Sequence, residues 1–187
     1  PDLWGHYGLA REFSAMFNRP LKELDVEDLS IYNNLPKLNI NVNTEDCYRY
    51  SSLALKNVNK KVSSYTMKIR LNYCGMRDIN LLADMTNYIM LELGQPMHAF
   101  DYSIVNGINV NSAKQGTKLL TLEGEEHDIP EGATVICNNQ NEPVAIAGIK
   151  GGKLSGITES TISLLLESAW FAAKASRLAA AKIGLET

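Results

Sequence analysis

The chain has 187 residues, of which 45% are hydrophobic and 21% are charged, and its formal net charge is -3. A chain of this length and composition can bury a full core, as one large domain or two small ones, without disulfide bonds or a structural metal ion for stability. The negative charge excludes a general positive field for binding polyanions, so any RNA contact must be local or made through a partner.

Three cysteines, Cys47, Cys74 and Cys137, lie far apart without a CxxC pair, so the sequence suggests neither a zinc site nor a disulfide framework. A reducing cytoplasm fits this pattern best. No apolar run approaches the roughly 20 residues of a membrane span, and no signal peptide is visible. Because the sequence begins without methionine and ends at Thr187, just after a Gly-Leu typical of a helix end, we expect a piece of a longer protein.

Helical spacing of apolar residues predicts a first helix over His6 to Phe17, with Asp2 placed to cap or precede it. A turn follows between Asn33 and Pro36. Alternation then predicts a half-buried strand from Leu38 to Val42, and a second strand over Tyr48 to Val58.

Two further helices are predicted before residue 98. Ser63 or Ser64 can cap the first, which ends at Gly75, and Asp78 can cap the second, which ends at Gly94.

From Gly107 onward, short alternating or apolar runs divided by turns predict an antiparallel sheet or barrel. These runs are Ile108 to Asn111, Lys118 to Leu122, Thr134 to Asn138, Val144 to Ala147 and Thr161 to Leu166. A final helix is predicted over Trp170 to Ile183. The fold class is therefore α+β, with a β-rich mixed or antiparallel core, sandwich-like or barrel-like, flanked by helices.

Two residues are the main candidates for chemistry. His98 lies between Met97 and Ala99, just after a Gly-Gln-Pro turn. A histidine in such surroundings is more often a hydrogen-bonded core residue than a catalyst, and both roles stay open. Glu167 ends the apolar run Leu164 to Leu166, where alternation places it on the face of Leu165, toward a core. A carboxylate there needs a partner, although the strand can also end at an exposed Glu.

Other polar residues give weaker signals. Gly148, Gly151, Gly152 and Gly156 permit positive φ and close backbone approach, and their N–H groups can face an oxygen, but the pattern is neither GxGxxG nor a P-loop. Asn87 by itself is typical of a surface or capping residue.

Ser155, Ser160 and Thr161 form no visible GxSxG elbow or Ser/His/Asp set, which argues against a serine hydrolase. Lys174, Arg177 and Lys182 on the last helix are more typical of a solvated face than of an RNA contact.

Four motifs in order give the chain a family resemblance: TNYIMLELGQPMHAFD, AGIKGGKLSG, LLLESAWF and the closing GLET. Together with the opening PDLWGHYGLAREF and the segment MRDINLLADMTNY, they resemble the beta subunit of bacterial-type phenylalanyl-tRNA synthetase. The resemblance covers nearly the whole chain and points to the combined third and fourth domains of that subunit. It implies that residues 1–35 are a lead-in helix and linker from a preceding domain. Residues 36–187 are then a composite editing module, truncated at its C-terminal end.

The resemblance implies an editing activity that hydrolyses tyrosine mischarged on tRNA(Phe) and spares Phe-tRNA(Phe), in the enzyme that aminoacylates tRNA(Phe). Carried over by motif, its catalytic residues are His98, Asn87 and Gly151, and its substrate-binding residues are Glu167, Gly151 and Thr187. The implied partners are the alpha subunit, in a tetramer of two alpha and two beta chains, the acceptor end of tRNA(Phe) and the tyrosine moiety. No membrane is implied. We expect no cofactor in this domain, and ATP and magnesium for the full synthetase.

The chemistry of the two amino acids agrees with this assignment. Phenylalanine is smaller than tyrosine, so a site that destroys only tyrosyl esters must require the hydroxyl, and a buried Glu167 can do so. For His98, a role in positioning water or the ribose is favoured over a role as general base, and N–H groups around Gly151 can face the oxyanion. Two other classes stay open: a non-catalytic structural, RNA-binding or partner-binding module of the same synthetase, and a freestanding sensor of an aromatic amino acid.

Overall fold

The computed structural model describes residues 2–58 and 62–185 and divides the chain into two compact units. A helical unit contains the segment that ends at Lys37 together with Val62–Met97. A sheet unit contains the segment that begins at Leu38 and the segment that begins at His98. The prediction that residues 1–35 belong to a linker from a preceding domain stays a prediction.

The helical unit consists of α1 (His6–Phe17), α2 (Tyr65–Tyr73), α3 (Leu81–Leu93) and two short 3-10 helices, Asp2–Trp4 and Leu29–Tyr32. Helix α3 packs against both α1 and α2. Leu71 on α2 is fully buried, and the buried carboxylate of Asp84 on α3 accepts hydrogen bonds from the Ser63 hydroxyl and from the Ile79 N–H. The three predicted helices are confirmed. None of the helices in the described ranges is long and apolar enough to cross a membrane.

The helix ends show which capping predictions were right. The Ser64 hydroxyl accepts from the Met67 N–H and caps α2, and Gly94 ends α3 with a φ of 74°. The prediction that Asp78 caps α3 was wrong: the side chain of Asn80 accepts from the first free N–H groups, while Asp78 pairs with Lys68 at 2.9 Å. Asp2 precedes α1 without capping it, because it lies in the preceding 3-10 helix and pairs with Arg11.

The sheet unit contains ten strands among the residues that the structure describes. They are β1 (Ile40–Val42), β2 (Cys47–Leu55), β3 (His98–Asp101), β4 (Ile108–Ser112), β5 (Lys118–Leu120), β6 (Glu126–Asp128), β7 (Thr134–Cys137), β8 (Pro143–Ile146), β9 (Lys150–Gly151) and β10 (Leu164–Phe171), followed by helix α4 (Ala173–Ile183). Their orders are β1-β4-β7-β8-β9, β2-β10-β3 and β5-β6. The pair β1 and β4 is parallel and the other pairs are antiparallel. The predicted α+β class with a mixed core is confirmed, and the described strands close no barrel.

The five-stranded and three-stranded sheets share one hydrophobic core. Phe100 and Leu165 from the smaller sheet join Ile108, Val110 and Ile136 from the larger one in a single buried cluster. A second cluster joins β5, β7 and β8 to Ala179 of α4. Burial of these apolar side chains is the main term that holds the sheets together.

The end of the chain differs from the prediction. The strand expected over Thr161 to Leu166 begins at Leu164 and continues to Phe171, and the helix expected from Trp170 begins at Ala173. Strand alternation explains the difference, because Trp170 pairs with Arg49 and is 65% exposed, whereas Phe171 packs on the core. Glu167 therefore lies inside a strand and not at its end.

Candidate functional site

A row of polar side chains crosses the three-stranded sheet. On the central strand β10, Glu167 lies opposite Ser52 of β2 and opposite His98 of β3. Cross-strand partners project to the same face of a sheet, so these three residues share the face that lies over the core. The adjoining row is apolar, since Leu165 lies opposite Ala54 and Phe100. The register thus places a carboxyl and an imidazole side by side at the border of the hydrophobic core.

Glu167 is a buried carboxyl with a phenol as its hydrogen-bond donor. The residue is 7% exposed, which agrees with the face predicted from alternation with Leu165. The Tyr50 hydroxyl donates to Glu167 Oε2 at 2.8 Å. Burial raises the pKa of Glu167 from 4.5 to about 7, although the hydrogen bond from Tyr50 acts in the opposite direction. Near neutral pH the carboxyl is therefore divided between its charged and its neutral form.

Tyr50 remains a donor across the physiological pH range. Burial raises the pKa of its hydroxyl, and the negative charge of Glu167 raises it further. Sequence reasoning missed this residue. Alternation along the strand could have placed Tyr50 on the same face as Ser52 and Ala54. Its contact with Glu167 spans 117 residues, and no local pattern of a single sequence predicts such a contact.

His98 begins β3, where the sequence suggested only a turn. Its ring meets Phe100 edge to face, with centroids 4.6 Å apart. Burial lowers the pKa of His98 below its ordinary 6.5, so the imidazole is neutral near neutral pH. Within the described part of the chain, Nε2 is buried and has no hydrogen-bond partner. A buried polar atom in this state is unusual, and a water or a ligand that reached it would complete its hydrogen bonding.

Gly151 on β9 gives His98 its space. A Cβ at position 151 would lie 2.6 Å from His98 Cε1 and 2.9 Å from Nε2, so only glycine fits against this edge of the ring. The neighbouring N–H groups are used within the sheets: Gly152 donates to the Val144 carbonyl oxygen at 2.8 Å, and Lys153 donates to that of Leu120 at 2.9 Å. Of the glycine-rich turn, Gly151 is thus the position that meets the histidine.

The predicted site residues fall into three groups. Glu167, His98 and Gly151 lie in the sheet unit, linked by strand register and by the contact just described. Asn87 lies half-buried on α3, in the helical unit. Thr187 lies outside the described residues.

The residues that were weighed as nucleophiles have structural hydrogen bonds. The buried Ser155 hydroxyl lies 3.0 Å from the Val144 carbonyl oxygen, and Thr161 donates to Asp101 Oδ2 at 2.6 Å. The hydroxyls of Ser160 and Thr158 are 2.8 Å apart on the surface. These bonds agree with the argument against a serine hydrolase.

Two further observations bear on ligands. Lys174, Arg177 and Lys182 are exposed along α4, as expected for a solvated face. Residues 2–58 and 62–185 contain no group of three or more His, Cys, Asp or Glu side chains that could hold a metal ion.

Comparison with known proteins assigns the family. Residues 46–187 match the B3/4 domain. The chain belongs to the B3/4 domain family. Over 187 residues, the B3/4 chain is 42% identical to the phenylalanine-tRNA ligase beta subunit of Aquifex aeolicus (strain VF5), covering 100% of this chain and 24% of that protein. The corresponding subunit of Bdellovibrio bacteriovorus is 40% identical over 193 residues, with 23% of its length covered.

These matches confirm the resemblance to a phenylalanyl-tRNA synthetase beta subunit. The B3/4 chain spans about a quarter of the length of these relatives, since 24% of the first is covered. A solved structure, an N-terminal fragment of the phenylalanyl-tRNA synthetase beta subunit from Pyrococcus horikoshii, superimposes with a TM-score of 0.54. It covers 98% of this chain and 58% of its own, and at 13% identity it shows a shared fold alone.

Proposed function

We propose that this B3/4 domain hydrolyses the ester of tyrosine mischarged on tRNA(Phe) and spares Phe-tRNA(Phe), as the editing site of a phenylalanyl-tRNA synthetase beta subunit. The family and the names of the relatives support the choice of enzyme. The observation on which the proposal depends is the buried carboxyl of Glu167, set on the core-facing side of β10 in one row with His98.

Glu167 supplies the selectivity. A tyrosyl ester that enters the pocket can donate its phenol O–H to the carboxylate, whereas a phenylalanyl ester leaves the carboxylate without that bond. Leaving a buried charged group unpaired costs more than a neutral hydrogen bond contributes. Sites that require a substrate hydroxyl reject the analogue lacking it by factors of about 10⁴ to 10⁵.

His98 and Gly151 act on the ester. The neutral imidazole is a weak base because burial lowers its pKa, so we assign it the positioning of a water or of the terminal ribose in preference to proton transfer. Its buried Nε2 supports this role, since that atom has no hydrogen-bond partner among the described residues and a ligand or a water that reached it would supply one. The backbone at Gly151 is assigned to the developing oxyanion. Asn87 and Thr187 are further site residues on the strength of the motifs alone.

The remaining parts of the proposal concern the whole enzyme. The partners are the alpha subunit, in a tetramer of two alpha and two beta chains, and the acceptor end of tRNA(Phe). Because the chain has a net charge of -3, we assign most of the tRNA contact to other parts of the synthetase. ATP and magnesium serve aminoacylation in the full synthetase, in the cytoplasm, and the editing pocket uses no cofactor.

The test is deacylation of Tyr-tRNA(Phe) by the synthetase whose beta subunit contains this chain. Replacing Glu167 by Ala should slow Tyr-tRNA(Phe) hydrolysis at least tenfold, because a hydrogen bond to a charged group contributes about 1.5–3 kcal/mol. Charging with phenylalanine should be unchanged. Glu45→Ala is the matched control, since Glu45 is an exposed carboxylate in the same unit. Unchanged hydrolysis in Glu167→Ala would overturn Glu167 as the reader of the substrate hydroxyl, and with it the observation on which the proposal depends.

A further inference from the structure

The hydrogen bond between Tyr50 and Glu167 has a meaning for selectivity beyond its contribution to stability. We propose, on the basis of the function proposed above, that Tyr50 is a specificity-determining positioning residue of the pocket. Its phenol holds Glu167 Oε2, so that the carboxyl presents Oε1 to the phenol of a tyrosyl ester. The pocket thus contains one phenol of its own and accepts a second from the substrate.

The surroundings of Glu167 assign the donor role to Tyr50. On β2, the Ser52 hydroxyl donates its one proton to the Leu166 carbonyl oxygen at 2.6 Å, so it does not donate to Glu167. The Cys47 thiol is neutral, because burial raises its pKa. On β3, His98 faces the carboxyl as a neutral ring. Beside Gly151 on β9, Lys150 pairs with Glu123 at 2.6 Å. Among the described residues, the hydrogen bond to the Glu167 carboxyl comes from Tyr50.

The Tyr50 hydroxyl also favours the charged form of Glu167. A carboxylate with a donor loses less by burial than one without, so Tyr50 opposes the effect of desolvation on the Glu167 pKa. The rejection of the phenylalanyl ester depends on that charge. A charged carboxylate loses a hydrogen bond to a buried anion when the substrate lacks a hydroxyl, and this costs more than the same loss at a neutral carboxyl. Without Tyr50, the carboxyl would be protonated up to higher pH and would discriminate less between the two esters.

The first experiment compares the synthetase containing this chain with its Tyr50→Phe, Glu167→Ala and Tyr48→Phe forms. Tyr48 is the matched control, since it lies on the same strand with its side chain exposed. For each form, kcat and KM are measured for hydrolysis of Tyr-tRNA(Phe) and Phe-tRNA(Phe) between about pH 6 and pH 9, and the melting temperature is recorded.

In Tyr50→Phe, we expect the ratio of kcat/KM for the two esters to fall about tenfold, mainly through a higher KM for the tyrosyl ester. The acid limb of its pH profile should move to higher pH. Tyr48→Phe should match the parent enzyme in its selectivity and in its pH profile. A general loss of packing would lower kcat for both esters without moving the pH profile. A folded Tyr50→Phe enzyme with parental selectivity and pH profile overturns the inference.

The result also separates the two proposals. If the parent enzyme hydrolyses the tyrosyl ester, Glu167→Ala does not, and Tyr50→Phe is unchanged, the editing function stands and the role of Tyr50 falls. If the parent enzyme lacks the hydrolysis, both fall. Should Tyr50→Phe not fold, a crystal structure of the unaltered synthetase with tyrosinamide decides. The ligand phenol on Oε1, with Tyr50 still on Oε2, supports the inference, and a ligand that displaces Tyr50 from Oε2 overturns it.

Discussion

Replacing Glu167 by Gln tests the burial of this carboxyl through the pH dependence of stability. Burial raises the Glu167 pKa from 4.5 to about 7, so between these pH values the folded protein binds a proton that the unfolded chain has released. The free energy of unfolding therefore falls as pH rises through this window and is level above it. A shift from 4.5 to about 7 corresponds to about 3 kcal/mol. The glutamine side chain of the Glu167→Gln variant cannot titrate, and this loss should disappear there.

His98 acts in the opposite direction. Burial lowers its pKa below 6.5, so under acid conditions the folded protein binds fewer protons at this ring than the unfolded chain does. Its contribution to stability rises with pH up to about 6.5. Because His98 is present in both proteins, the difference in unfolding free energy between Glu167→Gln and the parent isolates Glu167.

The assay is urea unfolding at a series of pH values, followed by the fluorescence of Trp170 in the sheet unit. Trp4, the other tryptophan of the chain, is replaced by Phe in both proteins so that Trp170 alone reports. The variant should gain about 3 kcal/mol relative to the parent between about pH 4.5 and pH 7.5. A difference that stays constant to within about 1 kcal/mol over this range would refute the burial argument.

Three further substitutions test other parts of the structure. Gly151→Ala should slow hydrolysis of Tyr-tRNA(Phe) at least tenfold without unfolding the protein, because its Cβ displaces the His98 ring; parental kinetics would contradict this contact. Asn80→Ala should lower thermal stability by about 1 kcal/mol through loss of the α3 cap, whereas Asp78→Ala should lower it less, and the reverse order would contradict the capping assignment. Phe171→Ala should cost about 2–3 kcal/mol in urea unfolding, less than the roughly 3–5 kcal/mol of a fully buried ring, since Phe171 packs on the core but is only half-buried. A neutral result would argue that β10 ends before it.

Local rules predicted the elements well where one periodicity dominated. The helix over His6 to Phe17 was predicted with the bounds that the structure shows, and the alternation from Leu165 to Glu167 correctly placed the carboxyl toward the core. The cap of α3 was misplaced by two residues because Asp78 and Asn80 are equally good capping residues. The backbone conformation decides between them, and the local sequence does not specify it.

The site needed information that no local pattern contains. His98 begins a short strand because β10 pairs with it, and Tyr50 reaches Glu167 through pairing with that same strand. The glycines of the turn were singled out for positive φ and for close backbone approach. At Gly151 the close approach is the reason, since a side chain there would collide with His98, but the sequence did not identify His98 as the neighbour. Both effects depend on tertiary contacts between segments far apart in the chain.

The order of the strands also determines when this site can form during synthesis. The central strand β10 of the three-stranded sheet is the last of the described strands in the chain, and its neighbours β2 and β3 are made earlier. On a translating ribosome, β2 and β3 therefore have no β10 to pair with, and the backbone edges that face it stay without this partner until β10 has emerged. Since 117 residues separate Tyr50 from Glu167, their hydrogen bond is absent from any nascent chain that has not yet completed this strand.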